Sequence, residues 1–136
     1  MILVDANVLM YAAGAPHPHK KACLDLLRRI AGGHMDAAVD AETLQEILHR
    51  YRAMNRWEDG RKLYDLTRTT FAVVVPITAE ILDDARVLLD KHTTLMARDA
   101  LHAAACRKAG ARAICSFDKD FDVIRELKRL EPAQVR

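Results

Sequence analysis

The sequence predicts an α/β domain whose central sheet is mostly parallel and is covered by helices on both faces. Short aliphatic runs recur along the chain, and segments with apolar residues at helical spacing separate them. Aromatic residues make up only 5% of the 136 residues, so the core must consist of Leu, Ile, Val and Ala, which suits helices packed on a sheet. No internal repeat or linker is visible, and we therefore expect one domain over residues 1–136.

Two strands and three helices are expected in the first half of the chain. In order, they are a strand at residues 2–4, a helix at 20–30, a strand at 37–39, a helix that begins after Asp40 and a helix at 57–69. Asp40 is a residue type that caps helix N-termini. The segment after Asp5 contains Gly14, Pro16 and Pro18, which predict a loop between the first strand and the first helix.

The second half of the chain continues the alternation of strands and helices. Strands are expected at residues 71–75 and 113–115, and helices after Thr78 and at 98–109. In the helix after Thr78, the side chains expected to face inward are Ile81, Leu82, Ala85, Leu88 and Leu89. In a parallel sheet of this kind, functional residues collect at the carboxyl ends of the strands.

Composition excludes several classes of protein. Hydrophobic residues make up 51% of the chain and charged residues 29%, which excludes a disordered or collagen-like chain. The net charge of +2 is too small to indicate nucleic-acid binding by itself. Three cysteines without metal-site spacing favour reduced thiols. No secretory signal or membrane-spanning stretch of about 20 apolar residues is visible, so we expect a cytoplasmic protein that does not insert into a membrane.

Four acids lie where strands end or helices begin. Asp5 ends the first strand, Asp118 follows the last one, Glu46 lies one turn into a helix, and Asp99 is at the start of the alanine-rich helix. If they converge at one edge of the sheet, their mutual repulsion is costly without a cation. Carboxylate oxygens suit magnesium or manganese, and one or two such ions promote phosphodiester hydrolysis.

Position alone leaves other roles open for these acids. A single acid in a soluble protein is most often a solvated surface charge. Asp99 also suits the positive N-terminal end of its own helix, and Asp118 and Asp120 flank Lys119 in what is also a plain polar turn.

The segments that contain these acids are residues 2–7 (ILVDAN), 42–51 (ETLQEILHRY), 98–104 (RDALHAA) and 116–121 (SFDKDF). Together they resemble the PIN-domain ribonucleases, specifically the VapC-type toxins of type II toxin–antitoxin pairs. The segments occur in the order and at the spacing of that family, and the resemblance covers nearly the whole chain.

The resemblance implies a three-layer PIN-like domain and an endoribonuclease that depends on Mg²⁺ or Mn²⁺. The catalytic acids that it implies are Asp5, Glu46, Asp99 and Asp118, with Asp5, Asp99 and Asp118 as metal ligands and Asn7 and Ser116 as supporting polar residues. Asp120 is the alternative fourth acid. We favour Asp118 because it lies closer to the end of its strand.

Residues 50–68 contain six basic and three acidic residues, with Tyr51 and Trp57 among them. Arg50, Arg52 and Arg56 are candidate RNA-binding residues on this account. The alternative is a solvated helix pair whose aromatic side chains pack inward or against a second subunit. His102 lies three residues after Asp99, and a structural role is favoured for it over a role at the site.

The resemblance also implies partners. It implies a small VapB-type antitoxin with a flexible tail, and the apolar helical segments over residues 42–69 favour a homodimer. Two other functions compete with this one: a non-catalytic RNA- or protein-binding module on the same scaffold, and an aspartate-based phosphatase with Asp5 as nucleophile. The phosphatase is disfavoured because Asn7 stands where such enzymes have a second aspartate.

Overall fold

Five strands and six helices make up the fold in a computed structural model that describes residues 1–136. In chain order, the elements are β1 (Ile2–Val4), α1 (Ala6–Ala13), α2 (Lys20–Ala31), β2 (Ala37–Asp40), α3 (Ala41–Ala53), α4 (Trp57–Thr70), β3 (Val73–Val75), α5 (Ala79–Lys91), α6 (Ala97–Lys108), β4 (Ile114–Cys115) and β5 (Arg129–Leu130). Short 3₁₀ helices follow β4 and β5 at Lys119–Val123 and Pro132–Gln134. None of the helices combines the length and apolarity that crossing a membrane requires.

All five strands pair in parallel, in the order β3-β2-β1-β4-β5. β1 lies at the centre, where Leu3 is in register with Ala38 of β2 on one side and with Ile114 of β4 on the other. The chain continues from β1 to β2 and β3 in one direction, and it returns to the other side of β1 for β4. Such a reversal opens a crevice at the carboxyl ends of the two adjacent strands, here β1 and β4.

Helices cover both faces of the sheet, and alternate residues of β1 point into two separate cores. Ile2 and Val4 belong to a core formed with α1 to α4, whereas Leu3 belongs to a core formed with α5 and α6. The buried side chains are mainly Leu, Ile, Val and Ala, as the aromatic-poor composition predicts. The predicted α/β fold class is therefore confirmed.

The loop expected after Asp5 is wrong, because α1 begins at Ala6. The Asp5 side chain accepts a hydrogen bond from the Ala6 backbone N–H at 2.7 Å, and Val8 and Leu9 are buried in the core. The glycine and prolines that predict the loop lie beyond the end of this helix. A helix of eight residues is too short to be stable alone, so packing on the sheet must stabilise it.

Two further expectations need correction. Leu82 is 49% exposed, because α5 packs through Ile81, Ala85 and Leu88 and Leu82 lies beside that stripe. β5 has no counterpart among the predicted strands. It is only two residues long, and one of them is Arg129, so it lacks an aliphatic run.

Candidate active site

The carboxyl ends of the three central strands place polar side chains along one edge of the sheet. Asp5 follows β1 directly, Asp40 is the last residue of β2, and Ser116 follows β4. All three side chains are buried. Asp5 and Ser116 therefore lie on the two sides of the crevice between β1 and β4.

The Ser116 hydroxyl connects the residues on either side of this crevice. It donates a hydrogen bond to Asp5 Oδ2 at 2.6 Å and accepts one from Asn7 Nδ2 at 3.1 Å. It also accepts one from the backbone N–H of Asp118 at 3.0 Å. The structure thus brings together Asp5, Asn7, Ser116 and the backbone of Asp118, and it fixes the rotamer of the Asp5 carboxylate.

Three more carboxylates converge beside this network. Each of Asp99, Asp118 and Asp120 offers an oxygen, and the three oxygens lie within 4.8 Å of one another. Asp99 is in the first turn of α6, and Asp118 Oδ1 accepts a hydrogen bond from the backbone N–H of Asp120 at 2.9 Å. Both candidates for the fourth acid therefore lie close to Asp99, with Asp118 half-buried and Asp120 exposed.

Electrostatics at this edge disfavour four ionised carboxylates. Burial raises the pKa of Asp5, although the charge of His102 and the hydrogen bond from Ser116 oppose that effect. Partial burial, together with the charges of Asp118 and Asp5, raises the pKa of Asp99 to about 6. A divalent cation among these oxygens would offset the repulsion, and a set of carboxylate oxygens is the donor chemistry that Mg²⁺ and Mn²⁺ prefer. The residues present therefore fit such an ion.

Glu46, in contrast, lies against two cationic side chains of α6. Its Oε1 is 3.4 Å from Arg98 Nε and 3.7 Å from His102 Nε2. Arg98 Nε is also 3.5 Å from Glu42 Oε1, one turn earlier on α3. The Glu46 side chain is buried, so these contacts compensate a charge that water does not fully solvate.

Asp40 is absent from the residues that the sequence suggests for the site, and for its partner His102 the sequence favours a structural role. Asp40 accepts a hydrogen bond from the Thr43 backbone N–H at 2.8 Å, as its predicted capping role requires, and its Oδ2 lies 2.5 Å from His102 Nδ1. Burial alone would lower the pKa of His102, but the contacts with Asp40 and Glu46 outweigh burial and raise it to about 10. The position of Asp40 at the end of β2, matching that of Asp5 at the end of β1, is the signal that could have revealed it.

Arg50, Arg52 and Arg56 lie in the last turn of α3 and just after it. The Arg56 guanidinium lies 2.9 Å from an Asp59 carboxylate oxygen, and the Arg52 guanidinium carbon is 4.7 Å from the centre of the Trp57 ring. All three arginines are exposed. Two of them therefore have partners within the helix pair.

Along α3, Arg52 lies further from the sheet edge than Glu46 does. The helix rises about 1.5 Å per residue, so Arg52 lies about 9 Å further along the axis than Glu46. Tyr51 is buried and faces Gly60, where an added Cβ would come within 2.4 Å of the Tyr51 Cβ. The expectation that this aromatic side chain packs inward is confirmed for Tyr51, and RNA binding by the three arginines stays a prediction.

Comparisons with known proteins show which family the chain resembles. The PIN domain family model matches residues 2–127. The chain is 42% identical over 130 residues to the VapC ribonuclease Mb1869c of Mycobacterium bovis. The matched residues make up 96% of this chain and 99% of that relative.

Two solved structures share the fold. VapBC2 from Rickettsia felis, bound to a DNA fragment from its promoter, superposes with a TM-score of 0.75 at 17% identity over 96% of this chain and 98% of that one. VapC20 from Mycobacterium tuberculosis, a toxin that cleaves the sarcin–ricin loop, superposes with a TM-score of 0.73 at 18% identity over 90% and 94% of the two chains.

Proposed function

Since the chain belongs to the PIN domain family, and within it to the VapC ribonuclease toxins of VapBC pairs, we propose that it cleaves RNA with a divalent cation, Mg²⁺ or Mn²⁺. The observation that supports this proposal is the convergence of the Asp99, Asp118 and Asp120 oxygens within 4.8 Å, beside the buried carboxylate of Asp5. None of these four acids forms an ion pair with a basic side chain of the chain itself. Their charge is left for a ligand to balance.

Asp5, Asp99 and Asp118 would hold the cation, with Asp120 as the alternative to Asp118. When bound, such an ion supplies Lewis acidity to a phosphate group and to a water molecule. Ser116 holds the Asp5 carboxylate through its hydrogen bond, and Asn7 fixes the Ser116 hydroxyl in turn. The buried setting strengthens every one of these electrostatic contacts.

Glu46 has a different role in this proposal. Its carboxylate is held on the α6 side by Arg98 and His102, and it belongs to the buried part of the site. We assign Glu46 to orienting the attacking water, because a fixed carboxylate is a suitable acceptor for a water hydrogen.

The test of this function is cleavage of RNA by purified protein, with and without chelator. We expect excess chelator to abolish cleavage, and added Mg²⁺ or Mn²⁺ to restore it. Asp5→Asn and Asp99→Asn remove charge at nearly constant volume, and each should lower the rate about a hundredfold or more. Asp83→Asn, at an exposed position on α5, is the matched control and should cleave at the wild-type rate.

The same assay distinguishes the two candidates for the fourth acid. Asp118→Asn should cost more activity than Asp120→Asn, because Asp118 is less exposed and its backbone is tied to Ser116. A larger loss at Asp120 would show that the preference for Asp118 is wrong. Undiminished cleavage in excess chelator would exclude the metal-dependent mechanism altogether.

We also infer the partners of the enzyme. The proposed substrate is RNA in the cytoplasm, and Arg50, Arg52 and Arg56 remain candidates for contacts with its phosphates. A VapB-type antitoxin is proposed as inhibitor, which the likeness to VapBC2 supports.

A homodimer is proposed as well, and light scattering at micromolar concentration should give twice the 15.3 kDa mass of one chain. A monomer in that measurement would exclude it.

A further inference from the structure

Three buried charged side chains form a continuous row from the end of β2 to the active site. Asp40 is fully buried, His102 is 2% exposed, and Glu46 is 7% exposed. The imidazole lies between the two carboxylates: Nδ1 is 2.5 Å from Asp40 Oδ2, and Nε2 is 3.7 Å from Glu46 Oε1. Each of these groups loses its hydration on folding. Burying such a row therefore costs stability unless the charges pair with one another or serve a function.

The two ring nitrogens of His102 are in different situations. Nδ1 makes a short hydrogen bond with Asp40, whereas Nε2 is buried and has no hydrogen-bond partner. The carboxylate that Nε2 faces is that of Glu46, slightly beyond hydrogen-bond distance. An ionised carboxylate only accepts hydrogen bonds, so the arrangement is favourable when each nitrogen carries a hydrogen. A hydrogen bond to Asp40 alone would require a hydrogen only on Nδ1.

Arg98 contacts the same Glu46 oxygen from the neighbouring turn of α6. Arg98 and His102 are four residues apart, so they lie on one face of that helix. Glu46 Oε1 is therefore between two cationic groups of a single helix, at 3.4 Å and 3.7 Å. A glutamate has three rotatable side-chain bonds, and contacts of this kind restrict it to one position.

We propose that His102, held in place by Asp40, is a positioning residue that fixes the carboxylate of Glu46 for RNA cleavage. This inference depends on the catalytic role proposed above for Glu46. It goes beyond a structural role, in which His102 would serve only to satisfy the buried Asp40. The two roles use different nitrogens of the ring, and this difference makes them separable.

Two conservative variants separate the roles. The amide of an asparagine lies close to the position of Nδ1, so His102→Asn keeps a donor for Asp40 and loses the one that faces Glu46. The longer side chain in His102→Gln places its amide near Nε2 and leaves Asp40 poorly satisfied. A positioning role predicts that His102→Asn lowers the single-turnover cleavage rate about 10- to 100-fold, and that His102→Gln, which keeps the donor toward Glu46 but loses the support of Asp40, lowers it less. A purely structural role predicts the opposite order.

The measurement is single-turnover cleavage with enzyme in excess, together with the melting temperature and the RNA dissociation constant of each variant. Repeating the cleavage measurement in a Glu46→Gln background tests whether His102 acts through Glu46. We expect His102→Asn to lower the rate in the wild-type background and to have less than a twofold effect when Glu46 is already replaced. Equal losses in both backgrounds would overturn the proposal, and so would full activity of Glu46→Gln, whereas the chelator assay decides metal dependence separately.

A second measurement uses the unmodified protein and needs no variant to fold. In protein labelled with ¹⁵N-histidine, NMR correlation spectra at neutral pH should show a hydrogen on both ring nitrogens of His102. A hydrogen on Nδ1 alone would leave no donor for Glu46 and would overturn the proposal.

Discussion

Individual acids at the edge of the sheet differ in what balances their charge. Asp40 and Glu46 each contact a cationic side chain of α6, and Asp5 accepts hydrogen bonds from a hydroxyl and a backbone N–H. Asp99 has no such partner, and its carboxylate experiences the charges of neighbouring acids. The uncompensated charge is therefore concentrated at the α6 end of the crevice, which is where a cation gains the most by binding.

This distribution predicts how the metal-free protein responds to pH. The pKa of Asp99 is about 6 in the folded chain against a usual value of 3.8, so the folded state binds its proton more tightly than the unfolded state does. The free energy of unfolding should therefore fall as pH rises from about 4 to 6. Asp99→Asn removes this dependence, and at pH 7 without metal it should be more stable than the wild type by about 1 kcal/mol, a value discounted for partial exposure.

Thermal melts in excess chelator between pH 4 and pH 7 measure this effect. The stabilisation by Asp99→Asn should correspond to about 3 °C at pH 7 and should disappear near pH 4. Added Mg²⁺ should raise the melting temperature of the wild type more than that of the variant, because Asp99→Asn removes one of the proposed metal ligands. A variant that melts below the wild type at pH 7 would show that Asp99 carries no repulsion.

At the residue level, the sequence identifies an acid best when the acid directly follows an aliphatic strand. Asp5 is a site candidate on that ground, and it is buried beside Ser116 in the structure. The contact between Asp40 and His102 connects residues 62 positions apart. It depends on β2 lying next to β1 and on α6 crossing their ends, and neither is determined by local spacing. The local sequence therefore indicates only a capping role for Asp40.

Secondary-structure elements differ in the same way in how far local sequence determines them. α2 and α5 have long amphipathic patterns. α2 begins and ends close to its predicted bounds, and α5 begins directly after the predicted cap residue Thr78. α1 is short, and its Gly- and Pro-containing continuation obscured it. β5 forms because the chain pairs with β4 after the 3₁₀ turn, through backbone hydrogen bonds that any residue type provides.

The α3–α4 pair depends on one glycine. Gly60 lies in the first turn of α4, where a Cβ would come within 2.4 Å of Tyr51 Cβ and 3.0 Å of its ring. Alanine is normally the better helix former by about 1 kcal/mol. At this position, however, the two helices would have to separate, so Gly60→Ala should destabilise the protein by about 1–3 kcal/mol.

Chemical denaturation of the two forms measures this loss. Lys62→Ala, at an exposed position two residues further along α4, is the control and should unfold within about 0.5 kcal/mol of the wild type. Because Gly60 is not one of the proposed catalytic residues, the destabilised variant should still cleave RNA when folded. Unchanged or increased stability of Gly60→Ala would show that the helices adjust without cost.

At the scale of the whole molecule, the acidic crevice is accessible from one edge of the sheet. Asp99 and Asp118 are only half-buried and Asp120 is exposed, so a substrate or an inhibitor reaches them without unfolding any element. Arg98 already shows that a guanidinium fits against carboxylates here, since its Nε lies within 3.5 Å of both Glu42 and Glu46. An antitoxin arginine placed against Asp99 and Asp118 would pair with these two carboxylates as Arg98 does with Glu42 and Glu46. It would thereby exclude a metal ion from the crevice.

Toxicity in cells tests this view of the whole molecule. Expression of the chain alone in a bacterial host should arrest growth, because an accessible ribonuclease site without an inhibitor cleaves RNA continuously. The Asp5→Asn form should not arrest growth, whereas the Asp83→Asn form should act like the wild type. Coexpression of the proposed VapB-type antitoxin should restore growth, and replacement by alanine of the arginine proposed to enter the acidic crevice should abolish the rescue while leaving the antitoxin folded. Normal growth with abundant, well-folded wild-type protein across several hosts would argue against a toxin function and leave the ribonuclease assignment to the cleavage assay.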